Sequence, residues 1–293
     1  GRYRIEGLLG RGGMGEVYRA AQLEPVRREV ALKLMRAQRL QARHLAWFEV
    51  ERQVLAQMRH PAIAQIYDAG ATEEGFPFFA MELIEGSPIT RYCREQRLSL
   101  DERVGLFIRV CEGVQHAHHK GVVHRDLKPG NLLVDTLDGR PAPKIIDFGI
   151  AKALDMDLLP HTQLVTLSGN LLGTPEYMSP EQASGCSDQI DARSDVFSLG
   201  RILAEVVFGS PLAVASTTHT ESLPLPGPRC RELHCIVRRA TAEPAGDRYA
   251  SAAELRDDLQ RFLNRQPIIA TFRSAMETPF RCQHFAKRTA AAT

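Results

Sequence analysis

The most informative stretch of the sequence is His124-Arg-Asp-Leu-Lys-Pro-Gly-Asn131, which is followed by Asp147-Phe-Gly149. Two further motifs precede it along the chain, Gly10-x-Gly12-x-x-Gly15-x-Val17 and Val30-Ala-Leu-Lys33. The joint occurrence of these motifs in this order is improbable by chance. Together they decide the fold.

The glycine motif is weak evidence when it is taken alone. Backbone amides approach phosphate oxygens closely only where no Cβ intervenes, which is why glycines suit a phosphate site. A dinucleotide site needs a helix directly after the glycines, but Glu16-Val-Tyr-Arg-Ala20 has the composition of a strand, and no GxxxxGK[ST] motif is present. The motif therefore favours a hairpin folded over a nucleotide. An ordinary glycine-rich turn stays open as the alternative.

Lys33 stands on an apolar strand, where a buried cation is costly unless it has anionic partners. ATP phosphates and a helix carboxylate would supply these partners. We choose Glu51 on the following helix as that carboxylate, because Glu49 lies on a different helix face. The alternative is a surface lysine whose stem covers the end of a strand.

With the motif at His124, the chain resembles the eukaryotic-type protein kinases, and Lys128 within that motif is similar to their serine/threonine branch. The segment Gly173-Thr-Pro-Glu-Tyr-Met-Ser-Pro-Glu-Gln-Ala183, together with Asp191-Ala-Arg-Ser-Asp-Val-Phe-Ser-Leu-Gly200, is similar to the bacterial branch of these kinases. The resemblance implies an α+β fold with two lobes. Residues 1–84 would form a small lobe with an antiparallel sheet and one main helix. Residues 85–266 would form a larger, mostly α-helical lobe, and residues 267–293 a linker or juxtamembrane-like tail.

The resemblance also implies roles for the residues of the motifs. Asp126 would orient the substrate hydroxyl and accept its proton, and Lys128 would neutralise the γ-phosphate during transfer. Asp147 and Asn131 would hold Mg²⁺, with Mn²⁺ as an alternative. The remaining catalytic residues would be Lys33 and Glu51. Structural roles would fall to Glu181, Arg248 and Asp195, with Glu181 pairing with Arg248.

For ATP, the resemblance implies an inter-lobe hinge with Met81 as the gatekeeper side chain. Backbone groups of the hinge would bind the edge of the adenine, and apolar side chains would cover its two faces. The nucleotide-binding residues would be Gly10, Gly12, Gly15, Val17, Ala31, Lys33, Met81, Glu82, Leu83, Ile84 and Leu133. Most of these apolar residues could equally be ordinary core residues.

Regulation is expected at Arg125, a cation next to Asp126 that a phosphate group could neutralise. Thr166 and Ser168 lie eight and six residues before Thr174 and are the expected sites of autophosphorylation. Thr162 is a weaker candidate because it lies farther from Thr174. The alternative is that these hydroxyl groups only solvate a loop.

Sequence periodicity and capping signals predict the individual elements. Ser87-Pro88 and Ser99-x-x-Glu102 are each expected to begin a helix. The strands are predicted at 3–9, 16–21, 29–35, 63–71 and 77–84. The helices are predicted at 38–58, 104–118, 193–208, 233–242 and from Ser251 to near Asn264.

Composition excludes several classes of protein. The formal net charge of +2 gives no reason to expect a nucleic-acid partner. Six cysteines without a CxxC pair favour buried reduced thiols over disulfides or a zinc site. His116, His118 and His119 do not share one helix face, which disfavours a metal site. The most apolar stretch, 196–215, contains charged residues and is too short to span a membrane.

The expected partners are proteins with Ser or Thr hydroxyls, and a second copy of the chain during trans-autophosphorylation. Because the sequence opens on Gly1, we expect a cytoplasmic kinase domain cut from a longer protein that could be membrane-anchored. Residues 212–232 are shorter than the docking segment usual in the family, which puts substrate docking in doubt. The alternative function is a nucleotide-binding pseudokinase or scaffold.

Overall fold

The structure of the chain, a computed structural model, describes residues 1–12, 15–35, 58–148, 175–185, 187–211 and 228–270. The helix predicted for 38–58 lies outside these ranges except for Met58. Glu51, Thr166 and Ser168 also lie outside the described residues, as do Glu49, Thr162, Thr174 and most of 212–232. Their positions stay predictions.

The N-terminal lobe contains a five-stranded antiparallel sheet. Its strands are β1 (Tyr3–Gly12), β2 (Gly15–Gln22), β3 (Arg28–Met35), β4 (Ile66–Ala71) and β5 (Pro77–Glu82). Their order across the sheet is β1-β2-β3-β5-β4. All five predicted strands are confirmed. The largest errors are three residues each, at the end of β1, which runs to Gly12 and not to Leu9, and at the start of β4, which begins at Ile66 and not at Ile63.

Strand β3 is central in this sheet and is buried on both faces. Alternate residues of a strand point to opposite faces. Val30 and Leu32 pack in a small cluster with Ala20 and Ala80. Ala31 and Met35 belong instead to the large core that runs through both lobes. Lys33 has the same parity as Ala31, so its side chain leaves the strand on the side of the large core.

Residues 62–64 bring the C-terminal lobe into contact with the N-terminal sheet. Strand β8 (Arg140–Ile145) lies in the C-terminal lobe. The Ile145 backbone N–H donates to Ala62 O at 2.8 Å, and Ala64 N–H donates to Ile145 O at 2.9 Å. These bonds occupy the backbone that was predicted to begin the fourth strand, which is why that strand starts later.

The C-terminal lobe is mainly helical. Its described helices are α1 (Ile89–Glu95), α2 (Leu100–His119), α3 (Pro180–Ala183), α4 (Ala192–Phe208), α5 (Pro228–Ala240) and α6 (Ala252–Leu263). A small sheet pairs β6 (Ser87–Pro88) with β7 (Leu132–Leu137), and β7 with β8. Helix α4 is buried along most of its length, as expected for the centre of a helical lobe.

The capping signals were right at two positions and wrong at one. Ser99 and Glu102 form the predicted capping box at the start of α2, and the Ser251 side chain accepts from Glu254 N–H at the start of α6. Ser87 does not cap a helix. The pair Ser87–Pro88 is strand β6, and α1 starts after Pro88 without a side-chain cap. Pairing with β7 holds Ser87 in the sheet and overrides the local helix signal.

The chain after α6 is attached to the C-terminal lobe through Asp258, whose side chain is fully buried. Asp258 accepts hydrogen bonds from Ile269 N–H at 2.7 Å, from Ala270 N–H at 2.9 Å and from the Tyr249 hydroxyl at 2.8 Å. Ala270 is itself buried. The packed lobe therefore extends at least to Ala270, past the boundary expected at residue 266.

Two expectations from composition can be compared with the described residues. The four cysteines within them (Cys93, Cys111, Cys230 and Cys235) are free and buried, as predicted. Burial raises the pKa of the Cys93 thiol to about 11. None of the described helices is both long enough and apolar enough to cross a membrane.

Candidate active site

A loop between α2 and β7 brings together three polar residues of the first motif. Lys128 Nζ donates to Asp126 Oδ2 at 2.8 Å. Asn131 Nδ2 donates to the Asp126 backbone oxygen at 2.8 Å and is 3.3 Å from Asp126 Oδ2. The carboxylate thus has a cation and an amide beside it. Because Asn131 uses its nitrogen for these bonds, its side-chain oxygen takes no part in them.

Asp195, at the start of α4, holds the beginning of this loop, which we call the catalytic loop (residues 124–131). Its carboxylate accepts from the backbone N–H of His124 at 2.7 Å and of Arg125 at 2.9 Å. It also lies 2.8 Å from His118 Nε2. Asp195 is 1% exposed, so these bonds replace the water that the carboxylate loses on burial.

His124 joins the catalytic loop to the segment before Phe148. Its ring lies 4.7 Å from the Phe148 ring, and its Nε2 is 3.2 Å from Ile146 O. The Asp126 N–H donates to His124 Nδ1 at 3.3 Å, so Nδ1 is the acceptor and the proton is on Nε2. Burial lowers the pKa of His124, which favours this neutral imidazole.

Lys33 and Asp147 form an ion pair that joins the two lobes. Lys33 reaches it from β3, and Asp147 follows β8 by two residues. The Asp147 backbone has a φ of 61°, in the left-handed region that few residues other than glycine adopt. The Lys33 side chain is only 9% exposed, and a buried cation needs an anionic partner. Asp147 is that partner.

A partly open cavity lies between the lobes beside this ion pair. Its polar lining is Lys33 and Asp147, and its apolar lining includes Met81, Phe79 and Phe148. Met81 pairs with Ala31 across β5 and β3. An apolar cavity with a few charged groups at one end is the usual form of a small-molecule site.

The predicted hinge is partly occupied by bonds within the protein. The Glu82 backbone N–H donates to Gln65 O at 2.8 Å, so this donor is already used. The Glu82 side chain binds Lys144 Nζ at 2.8 Å and accepts from the Gln65 N–H at 3.0 Å. Sequence reasoning missed Lys144, because no local signal relates it to Glu82.

The remaining nucleotide-binding candidates lie on the strands and near the hinge. Gly10 and Gly12 end β1, where a Cβ on either would meet no protein atom within 4 Å. On Gly15 a Cβ would lie 2.1 Å from Leu34 O, so the protein itself requires that glycine. Val17 and Leu83 pack against the large core. The last two nucleotide-binding candidates are Leu133, which is partly buried, and Ile84, which lies between β5 and β6.

Glu181 and Arg248 form a buried ion pair with two contacts, of 2.7 and 2.9 Å. The Ser194 hydroxyl donates to Glu181 Oε1 at 2.7 Å. Burial alone would raise the pKa of Glu181, but the hydrogen bonds from Arg248 and Ser194 outweigh it and lower the pKa to about 2. Arg248 also donates to the backbone oxygens of Arg193, Ala242 and Glu243. The pair ties α3, α4 and the chain before α6 together.

Gln182 and His118 also belong to the surroundings of the loop and were not predicted. Gln182 Nε2 donates to the Arg125 backbone oxygen at 2.8 Å. His118 reaches Asp195 from α2, although the sequence places them 77 residues apart. The only sequence signal for His118 was its position in a histidine cluster, and that cluster gave no indication of a contact with Asp195.

The oxygen ligands available at the site fit a magnesium ion better than a metal held by protein alone. Among the described residues no group of three His, Cys, Asp or Glu side chains could hold a metal. Mg²⁺ usually takes one or two carboxylates together with phosphate oxygens and water. The Asp147 carboxylate and the Asn131 side-chain oxygen match that requirement.

Comparison with known proteins agrees with this geometry. Residues 3–266 match the protein kinase domain family. The probable serine/threonine-protein kinase SCO3848 of Streptomyces coelicolor is 37% identical over 291 residues, which cover 92% of this chain and 41% of the relative. The serine/threonine-protein kinase PknB of Mycobacterium tuberculosis is 36% identical over 286 residues, which cover 91% of this chain and 44% of PknB.

A solved structure supports the fold. A double mutant of the Mycobacterium tuberculosis PknI kinase domain superposes with a TM-score of 0.67 at 24% identity, covering 89% of this chain and 96% of the other. The match over residues 3–266 shows that the chain belongs to the protein kinase domain family. The two curated relatives come from bacteria, and their names describe them as serine/threonine-protein kinases. The chain spans less than half the length of these curated relatives.

Proposed function

We propose that the protein transfers the γ-phosphate of ATP to Ser or Thr hydroxyls of other proteins through the residues of this cleft. The observation that carries the proposal is the contact of the Asp126 carboxylate with both Lys128 and Asn131. Phosphoryl transfer requires mainly positioning and charge neutralisation, because its transition state is loose. A carboxylate, two lysines and an amide around one cleft meet that requirement.

Asp126 is the group that orients the attacking hydroxyl and accepts its proton. Lys128, at 2.8 Å from the carboxylate, is suited to neutralise charge on the phosphoryl group during transfer. Lys33 is suited to bind the ATP phosphates, with Glu51 as its further partner. These assignments rest on the donor and acceptor properties of the side chains and on their contacts.

Asp147 and Asn131 would hold Mg²⁺, and Mn²⁺ could replace it at the same oxygen ligands. When bound, the ion would neutralise part of the negative charge of the ATP phosphates. The adenine would lie against Ala31 and Val17 on one face and Leu133 on the other. Since the Glu82 N–H is used by Gln65, we assign the base edge to the Glu82 carbonyl and to backbone groups of Leu83 and Ile84.

Activation would depend on phosphate near Arg125. Within the described part of the chain, no carboxylate pairs with the Arg125 guanidinium, which leaves the cation for another anion. We propose autophosphorylation at Thr166 or Ser168, in trans between two copies of the chain. Mass spectrometry of the active protein should find phosphate there, and Arg125→Ala should make activity insensitive to phosphatase. A fully active preparation without phosphate in this segment would contradict the proposal.

The proposal extends to the whole protein, since the relatives are longer. We infer that the kinase domain works in the cytoplasm and that further segments can anchor it to a membrane. Fractionation of cells with an antibody to the domain tests this inference. Recovery of the protein only outside the cytoplasmic and membrane fractions would contradict it.

Transfer of label from γ-labelled ATP to a generic basic protein tests the proposed activity directly. We expect transfer by the wild-type chain and loss of about two to three decades of rate in Asp126→Asn. Calorimetry with a nonhydrolysable ATP analogue should give binding in both proteins. Binding without transfer by the wild type would instead indicate a pseudokinase.

A further inference from the structure

We propose that Gln182 is a positioning residue for Asp126, and that it acts by holding the peptide group between Arg125 and Asp126. This inference rests on the proposed function of Asp126 as the base. Gln182 lies in helix α3, outside the catalytic loop, and none of the roles expected from the sequence is assigned to it.

The backbone at Arg125 needs support from its surroundings. Its φ of 63° lies in the left-handed region, which is unfavourable for a residue with a Cβ. Such conformations persist where neighbouring groups determine them. The Arg125 N–H is held by Asp195 Oδ1 at 2.9 Å, and the Arg125 carbonyl is held by Gln182 Nε2 at 2.8 Å. The two bonds fix the peptide groups on both sides of the strained residue.

The second of these bonds acts on the base itself. The Arg125 carbonyl carbon is bonded to the Asp126 nitrogen, and the peptide unit is planar. A rotation of that carbonyl therefore turns the Asp126 N–H and moves its Cα. Gln182 restrains the rotation that would displace the Asp126 carboxylate from Lys128 and Asn131.

The orientation of the Gln182 amide follows from its partners. The Arg125 carbonyl only accepts, so the NH₂ group must face it. The Ser179 backbone N–H only donates, and it lies 3.2 Å from Gln182 Oε1. Turning the amide over would replace both hydrogen bonds with repulsive contacts.

Gln182 is also the third residue of the capping box of α3, in which Ser179 Oγ accepts from the Gln182 N–H. Either Gln or Glu can complete a capping box. Only Gln can in addition donate to Arg125. This difference separates the two roles of the side chain, because Gln182→Glu keeps the cap and removes the donor.

The same residues surround a small cavity beside the base. Gln182 lines a small open pocket together with Asp126, Lys128 and Tyr177. A change in the position of α3 would therefore reach Asp126 through one hydrogen bond. The structure thus assigns Gln182 a link between helix α3 and the proposed catalytic base.

The test compares three variants for transfer from γ-labelled ATP to a peptide. Misplacement of a catalytic group by about 1 Å costs on the order of 100-fold in rate, so we expect kcat to fall about 10- to 100-fold in both Gln182→Glu and Gln182→Met. Affinity for a nonhydrolysable ATP analogue should stay within about twofold, since Gln182 has no contact with the proposed nucleotide residues.

Ser179→Ala is the matched control, because it removes the cap and leaves the donor to Arg125 in place. Its unfolding midpoint should fall by about 2–4 °C while its kcat stays within about twofold of the wild type. Gln182→Glu keeps the cap and loses one part-buried hydrogen bond, so its midpoint should fall no further than that of Ser179→Ala while its kcat falls about 10- to 100-fold.

Each outcome decides the question. Wild-type kcat in Gln182→Glu overturns the inference, and so does a loss confined to Gln182→Glu, which would indicate a charge effect. If Gln182→Glu does not fold, the kcat of Gln182→Met is measured instead, at about 20 °C below the unfolding midpoint of that variant. A wild-type kcat in Gln182→Met then overturns the inference. If the wild-type protein itself transfers no phosphate, the proposed function is wrong. That result is distinct from the two outcomes that overturn the inference on Gln182.

Discussion

The catalytic loop and strand β1 are held in place by different forces. Polar side chains fix the loop through hydrogen bonds. Asp195 and Gln182 reach it from distant parts of the chain, and His124 lies within it. Strand β1 carries exposed apolar residues such as Leu8 and Leu9, each 52% exposed. It is held by pairing with β2, and that pairing contains two register shifts.

The difference reflects what each part must do. Reacting groups have to be placed accurately, and directional hydrogen bonds in a buried environment achieve that placement. A strand proposed to cover phosphates must let a ligand enter and leave. Segments with few buried apolar contacts open at low free-energy cost. We therefore expect substitutions that break buried polar contacts to have large effects and substitutions on β1 to have small ones.

The largest effect on stability is expected for Glu181→Gln. It leaves Arg248 buried without an anionic partner, which costs about 3–5 kcal/mol. Urea denaturation at neutral pH measures the loss. Arg248→Met is the matched variant and should lose a similar amount, because it leaves the opposite charge buried. If the unfolding free energy fell by less than about 1 kcal/mol in both variants, the buried ion pair would matter no more to stability than the residues of β1.

The same ion pair predicts a dependence on pH. The pKa of Glu181 falls from 4.5 to about 2 on folding. A carboxyl with a depressed pKa adds stability above its unfolded pKa, and this stability is lost as the pH falls through its folded pKa. The difference in unfolding free energy between wild type and Glu181→Gln should therefore shrink between about pH 4.5 and pH 2. A difference that stays constant over this range would contradict the assignment.

Substitution of Lys33 should affect activity far more than stability. Lys33→Met removes the charge proposed to bind phosphates and should lower kcat/KM by about two to three decades. Lys144→Met is the control, since Lys144 pairs with Glu82 at a similar depth and is given no part in the chemistry. Its activity should stay within about fivefold of the wild type. Equal losses in the two variants would show that any buried lysine in the cleft has this effect.

Two glycines in helices should respond to alanine in opposite directions. In α4, a Cβ on Gly200 would lie 2.7 Å from Ala240 Cβ and from Thr241 Cγ2, so Gly200→Ala should destabilise the protein by about 1–3 kcal/mol. In α2, a Cβ on Gly105 would meet nothing within 4 Å. Gly105→Ala should stabilise by about 0.5–1 kcal/mol. Thermal unfolding of both variants measures the two signs.

The smallest effect is expected on β1. Leu8→Thr replaces a half-exposed apolar residue with a β-branched one that suits a strand, so stability should change by less than about 0.5 kcal/mol. Chemical denaturation is the measurement. A loss of several kcal/mol would show that β1 packs against a part of the chain outside the described residues.

The sequence predicted the elements of the fold and offered candidate residues for the chemistry because both depend on local patterns. Strand alternation located β1 to β5, and serine caps located the starts of α2 and α6. The resemblance to kinases named Asp126 and Asn131, and the structure brings these residues together.

The residues that support the site could not be found in this way. Gln182, His118 and Lys144 act on partners between 57 and 77 residues away along the chain, and no periodicity connects such positions. The one wrong capping signal, at Ser87, has the same origin. The helix signal at Ser87 is overridden by strand pairing between Ser87 and Val134, and the local sequence around Ser87 does not reveal that pairing.

The attachment of the chain to Asp258 has a practical consequence for protein production. The family match ends at residue 266, which suggests a convenient place to stop a shortened protein. Such a product would lack Ile269 and Ala270, whose N–H groups bind the buried Asp258 carboxylate. The carboxylate would keep the Tyr249 hydroxyl and Arg261 but lose two hydrogen-bond donors, and an incompletely paired buried charge favours unfolding and aggregation. Expression trials should therefore keep the chain at least through Ala270.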